Sequence, residues 1–173
     1  FPSLCRPRAL PPGRQRGGPL IRPGSPTEEV LPVAYDFDTP PDGAEELAAL
    51  LERSGAEFLR EGPRFRLRLT SGGCTWQTVC DCRGELVLIY SIHPTPVQQP
   101  GPALELCSQL NGRLEQGSFF LQEGRFVFRT SAPLTERFEA QGRIAAALEY
   151  NAAVLSTCWE RLAAGAQGLT LTF

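Results

Sequence analysis

Cysteine and histidine are the residue types of this chain that could do chemistry, as nucleophiles, redox centres or metal ligands. Three of its six cysteines, Cys74, Cys80 and Cys82, fall at even positions of one predicted strand. Side chains at that spacing project to the same side, so these thiols could contribute to a zinc or redox site. Cys-x-Cys spacing in a strand, however, separates side chains by roughly 7 Å, which is too far for an undistorted disulfide.

The surroundings of the cysteines favour a structural role. Five of the six lie inside predicted strands and helices, whereas disulfide frameworks belong mostly to short, loop-rich secreted chains. We interpret them as reduced, buried thiols that act as small hydrophobic residues, and this indicates a reducing compartment such as the cytoplasm. A metal-binding or redox-sensing role for Cys74, Cys80 and Cys82 remains the alternative.

The signals for an enzyme are weak. His93 is the only histidine and precedes Pro94 at the end of a predicted strand, and this favours a structural role. Without a second histidine, metal sites that need two or more histidines are excluded. The sequence also lacks a glycine-rich phosphate loop, a Gly-x-Ser-x-Gly turn and paired carboxylates. We therefore predict no catalysis, no cofactor and no metal.

Composition limits the class of protein further. The 173 residues are 42% hydrophobic and 21% charged, which is typical of one globular domain. A net charge of −2 gives no reason to expect a nucleic-acid partner. No apolar run approaches the roughly 20 residues that a membrane helix needs, so we expect no membrane insertion.

Residues 1–32 differ from the rest of the chain, because they contain eight prolines and five arginines with no acid before Glu28. This composition predicts a disordered arm. The remains of an organelle transit peptide are an alternative, which would place the protein in a stroma or matrix. We expect the folded domain to span 33–163, followed by a tail over 164–173.

Hydrophobic periodicity predicts the element order α-β-β-β-α-β-β-α. Short connections make consecutive strands antiparallel, which indicates an α+β fold with a five-stranded antiparallel sheet and three helices. The predicted helices span 44–60, 102–115 and 135–163; the predicted strands span 64–70, 74–82, 85–92, 117–122 and 125–131.

One strand, 85–92, is apolar on both faces, so both faces of the sheet around it must be covered or must bind something. We predict that Phe65, Trp76 and Leu88 face the helices. The opposite face would then form a second apolar surface, a candidate site for a partner or a second subunit, rimmed by Arg125 and Arg129. Its predicted apolar residues are Val79, Val87, Ile89, Phe120 and Val127.

The segment 104–134 carries a family signature. Its residues are Leu110-Asn111, then Gly117-Ser118-Phe119, then Gly124-Arg125-Phe126-Val127-Phe128-Arg129 and Ala132-Pro133-Leu134. With the element order, this segment resembles the YbjN family, which is similar in fold to type III secretion chaperones. The resemblance implies a small protein- or peptide-binding domain, often dimeric, without a cofactor.

The leading hypothesis is therefore a non-catalytic, chaperone-like or adaptor-like module that binds a protein or peptide, with a homodimer as one arrangement. A structural or assembly subunit of a larger complex, anchored by the N-terminal arm, is the alternative from another class. A metal or redox protein based on the cysteines is the third.

Overall fold

The structure, a computed structural model, describes residues 39–169, which form four α-helices and one six-stranded sheet. The predicted arm over 1–32 lies outside the described residues. The helices are α1 (Gly43–Arg53), α2 (Pro100–Asn111), α3 (Ala140–Thr157) and α4 (Trp159–Ala166), and a 3-10 helix (Arg137–Glu139) precedes α3. The strands are β1 (Phe58–Glu61), β2 (Arg64–Ser71), β3 (Cys74–Arg83), β4 (Leu86–Ile92), β5 (Ser118–Gln122) and β6 (Arg125–Pro133).

The sheet has the order β1-β2-β3-β4-β6-β5, and every neighbouring pair is antiparallel. The predicted α+β class and antiparallel sheet are confirmed. The predicted number of five strands is wrong, because residues 58–61 form an additional edge strand.

That additional strand replaces the end of the first predicted helix. Gly55 takes a left-handed conformation, with φ of +67°, which commonly ends a helix. Gly62, with φ of +62°, then turns the chain so that β1 pairs with β2. Phe58 lies seven residues after Leu51, on the apolar stripe of the predicted helix, yet it reaches the same core from a strand. Periodicity therefore could not locate the end of the helix.

The last predicted helix, over 135–163, is divided in two, so the domain has four α-helices rather than three. The break lies at Cys158, where φ is −87° and ψ is 0°. Beyond it, α4 packs closely on α2: a Cβ added at Gly165 would lie 2.4 Å from Leu106 Cδ2. Phe138, in the 3-10 helix before α3, is 85% exposed.

The hydrophobic core lies between the helices and one face of the sheet, here called the covered face. One cluster joins α1 and α3 to β2, β3 and β4 through residues such as Leu47, Phe65 and Ile144. A second cluster joins α2 and α4 to β5 and β6 through residues such as Leu110 and Phe126. Asn151 of α3 is fully buried between the clusters, and its amide donates to Thr130 Oγ1 over 3.0 Å.

Asn111, at the end of α2, explains part of the family signature. Its Nδ2 donates to the Phe119 carbonyl over 2.9 Å, and its Oδ1 accepts from the Phe119 N–H over 2.7 Å. The amide thus pairs with β5 as a neighbouring strand would. Gly117 lies just before β5 with φ of +78°, and an added Cβ would lie 2.7 Å from the Arg129 carbonyl oxygen. Both residues therefore specify the fold.

Replacing Asn111 with Ala should lower the free energy of unfolding by about 2 kcal/mol, because both backbone groups of Phe119 lose their partner. Urea unfolding measures the change. Gln109→Ala, at an exposed position of the same helix, is the matched control and should change that free energy by less than about 0.5 kcal/mol. Equal losses in the two variants would show that the Asn111 pairing does not stabilise the fold.

Candidate partner-binding face

The face of the sheet opposite the helices, here called the open face, carries apolar side chains in a continuous strip. Within residues 39–169, all four helices pack on the covered face and none covers this strip. Its side chains are mostly half-buried, and Val127 is only 3% exposed. We call the following residues the apolar strip: Val79, Leu88, Tyr90, Ile92, Phe120 and Val127.

Strand register places the strip across the middle of the sheet. Val79 of β3 pairs with Tyr90 of β4, and Ile92 of β4 pairs with Val127 of β6. Phe120 of β5 also pairs with Val127, and its ring meets that of Tyr90 edge to face, with the ring centroids 6.5 Å apart. Such an arrangement gives a firm apolar platform, because antiparallel neighbours on one face support each other.

Arginines of β2 and β6 lie next to residues of the apolar strip. Arg64, Arg66 and Arg68 alternate along β2, and Arg125 and Arg129 project from β6 on the same face. Together with Arg83 of β3, most of them line a shallow groove of about 1200 Å³ over the strip. The groove lining includes two carboxylates, Asp81 and Glu123.

Five of the seven residues predicted for this site lie on the open face: Val79, Phe120, Val127, Arg125 and Arg129. The prediction for Val87 and Ile89 is wrong, because both are fully buried on the covered face. The β3–β4 hairpin pairs Cys82 with Val87 and Cys80 with Ile89, so these residues share the face of the buried cysteines.

The same register places Leu88 and Tyr90 on the open face, although Leu88 was predicted to face the helices. The sequence prediction also omitted Tyr90, Ile92 and the three arginines of β2 from the site. Strict alternation of Arg64, Arg66 and Arg68 with apolar residues was a usable signal for the arginines. No such signal existed on β4, since that strand has apolar residues at both its odd and its even positions.

The cysteines of β3 lie on the covered face, away from the groove. Burial raises the pKa of the Cys80 thiol to about 12 and that of the Cys82 thiol to about 11. These thiols are therefore protonated at neutral pH and are poor nucleophiles and ligands. Among residues 39–169, no three His, Cys, Asp or Glu side chains lie together in a way that could hold a metal ion.

His93 lies directly after β4 and is fully buried on the covered face. Its ring packs against Trp159 with centroids 4.4 Å apart, and its Nδ1 accepts from the Thr95 N–H over 3.3 Å. Burial lowers the pKa of His93 to about 4, and a backbone interaction with Trp159 opposes this only in part. The imidazole is therefore neutral at pH 7 and belongs to the core.

Comparison with solved structures identifies the fold. The chain is similar to YbjN from E. coli, with a TM-score of 0.51 and 18% identity over 74% of this chain and 95% of YbjN. This similarity confirms the YbjN-like fold that the element order and residues 104–134 predicted. A second match, to the heterodimeric ExoU–SpcU complex from the type III secretion system of Pseudomonas aeruginosa, has a TM-score of 0.40 and 16% identity, over 63% of this chain and 93% of that chain. No protein-family model and no curated protein matches the chain.

Burial should make Cys80 and Cys82 react with iodoacetamide about 100-fold more slowly than the partly exposed Cys74 in the folded protein. Mass spectrometry after timed labelling measures the three rates separately. In concentrated urea the three thiols should react at similar rates, which provides the internal control. Rapid labelling of Cys80 in the folded protein would show that this thiol is accessible and reactive.

Acidification should destabilise the protein through His93. Its pKa of about 4 in the folded state lies below the value of about 6.5 in the unfolded state, so the unfolded chain binds the proton first. The stability due to the neutral imidazole is complete above about pH 6.5 and is lost as the pH falls towards 4. Between pH 7 and pH 5 the expected loss is about 2 kcal/mol.

His93→Phe keeps a ring against Trp159 but removes the titrating group, so it should lose less stability over the same pH range. Urea unfolding of both proteins at pH 7 and pH 5 measures this difference. The carboxylates titrate in both proteins, so their contribution cancels in the comparison. The same pH dependence in both proteins would contradict a depressed His93 pKa.

Proposed function

We propose that this chain, whose fold is that of YbjN, is a non-catalytic protein-binding module whose partner docks on the open face of the sheet. The observation that carries the proposal is the apolar strip, which no helix of residues 39–169 covers. A sheet normally buries its apolar faces against another layer, and an exposed apolar face is typical of an interaction site.

The composition of the open face also supports protein binding. Tyrosine, phenylalanine and arginine are enriched at protein interfaces, where they combine large contact areas with hydrogen-bonding groups. Tyr90 and Phe120 provide the aromatic contacts here, and Arg129 lies beside them in register with Tyr90. The platform is rigid because each strand of the strip is backed by a buried cluster on the covered face.

The location of the chemically versatile residues favours binding over catalysis. His93 is buried and neutral, and the thiols of Cys80 and Cys82 are buried and protonated. In the groove itself, Asp81 is paired with Arg83 at 3.0 Å. These groups support the stability of the domain. The groove offers residues suited to contacts with a partner rather than a nucleophile beside a general base.

No helix in the described part of the chain has the length and hydropathy needed to span a bilayer. Five cysteines in that part, all without disulfides, support a reducing compartment, and we propose the cytoplasm.

Replacing Tyr90 and Phe120 together with Ser should abolish partner binding while the domain stays folded. The test is quantitative affinity capture from native extract of the source organism, followed by reconstitution with the purified partner. We expect retention of the partner to fall at least tenfold, because the variant loses the aromatic centre of the apolar strip.

The matched control replaces Leu104 and Leu169 with Ser. These leucines are 55% and 59% exposed but lie on α2 and after α4, outside the open face. The control should retain the partner as the wild type does, and circular dichroism should show that both variants are folded. A partner that binds the Tyr90/Phe120 variant as tightly as the wild type would disprove docking on the open face.

A further inference from the structure

The charge of the open face is opposite in sign to that of the chain as a whole. The chain has a net charge of −2, yet the groove lining has five arginines against two carboxylates. One of these carboxylates, Asp81, is already paired with Arg83. A local field of this kind selects partners by charge, because like-charged surfaces are repelled and opposite charges are attracted.

Several of these arginines have no partner of their own. Among residues 39–169, Arg64, Arg68 and Arg129 form no ion pair and donate no side-chain hydrogen bond. Elsewhere, Arg60 pairs with Glu45 at 2.6 Å and Arg143 pairs with Glu139 at 3.0 Å. Three guanidinium groups of the open face thus remain available to carboxylates of another chain, while Arg66 of the same face pairs with Glu61 at 3.6 Å.

At Val79 and Tyr90 of the apolar strip, an arginine of β2 lies on one side and an arginine of β6 lies on the other. Along one register row, Arg66 of β2, Val79 of β3, Tyr90 of β4 and Arg129 of β6 are consecutive neighbours. Three strand spacings separate the two arginines of this row, which is about 14 Å. An α-helix with its side chains has a diameter of about 10–12 Å, so it fits over Val79 and Tyr90 with an arginine on each side.

We propose that the open face binds an acidic amphipathic α-helix of a partner protein. The apolar stripe of that helix packs on the apolar strip, and Glu or Asp side chains on its two flanks pair with the arginines of β2 and β6. The seven residues of β4 span about 23 Å, which corresponds to a helix of about 15 residues. The inference rests on the proposed function and names the chemistry of the partner.

Other occupants fit the charge pattern less well. The segment 1–27 of this chain contains five arginines and no acid, so it has the same sign of charge as the groove. In a second copy, helix α1 is acidic, but its Glu45 pairs with Arg60 and its Glu46 accepts from Gln141. An extended peptide of about 5 Å width would reach the arginines of one side only.

The test uses the full chain and two synthetic 16-residue peptides. The first has leucines at positions i, i+3, i+4 and i+7 of each repeat, glutamates on both flanks of that stripe, and alanine elsewhere. The second replaces every glutamate with glutamine. Isothermal titration calorimetry should show at least tenfold tighter binding of the glutamate peptide at low salt, and this advantage should shrink as salt screens the charges.

Arg68→Gln combined with Arg129→Gln removes one arginine of β2 and one of β6, and it should weaken binding of the glutamate peptide at least tenfold. Arg53→Gln combined with Arg113→Gln makes the same change in net charge at exposed positions on the helical side, and it should change the affinity less than twofold. Equal effects of the two double variants would overturn the inference, because only the net charge would then matter.

Three other outcomes would also overturn it. The first is equal binding of the two peptides, which would leave the proposed function intact with an apolar ligand. The second is tighter binding of a 20-nucleotide single-stranded DNA than of the glutamate peptide, with loss of that binding in the Arg68/Arg129 variant. The third is a dimer in light scattering that this variant dissociates. Failure of the proposed function is judged separately, by the Tyr90/Phe120 capture experiment.

Discussion

The register of the β3–β4 hairpin decides which side chains of the central strand meet the helices. Because Cys80 pairs with Ile89 and Cys82 with Val87, the odd residues of β4 are buried and the even ones lie on the open face. A slip of one residue would exchange the two sets. The apolar strip, the positions of the arginines around it and the packing of α1 and α3 all depend on this pairing.

An apolar sheet face can remain in water only if something reduces its contact with water. The arginines of β2 and β6 are suited to this role, because the methylene groups of an arginine can cover apolar surface while the guanidinium stays hydrated. Charged side chains beside the strip also oppose the stacking of one sheet on another. The same residues provide the charges that would select a partner.

The residues that the sequence offers as candidates for catalysis or metal binding are buried on the covered face. Cys80 and Cys82 pack with α1 and α3, and His93 packs on Trp159. The buried amide of Asn151 bonds across to Thr130, so α3 is attached to the sheet by a polar contact as well as by apolar packing. Burial of these groups explains why their chemistry is suppressed: the charged forms of a thiol and an imidazole lose the solvation of water.

Local pattern was sufficient where one physical requirement dominated. The alternation in 64–70 predicted both β2 and its buried side, because only one of its faces is apolar. The signature around Asn111 and Gly117 predicted the α2–β5 connection, since a side-chain amide that replaces a strand and a glycine with positive φ tolerate few substitutes. From such elements the α+β class and the YbjN-like fold could be predicted.

Where two arrangements satisfied the same pattern, only the assembled fold chose between them. The first helix and β1 both place Phe58 in the core, so the apolar period could not show that the helix ends before Gly55. After the break at Cys158, Gly165 brings α4 into close contact with α2, a partner distant in sequence. Strand β4 is apolar at both its odd and its even positions, so its buried side was set by hydrogen-bond pairing with β3. Single-strand patterns contain no information about that pairing, and it alone determined which residues form the candidate site.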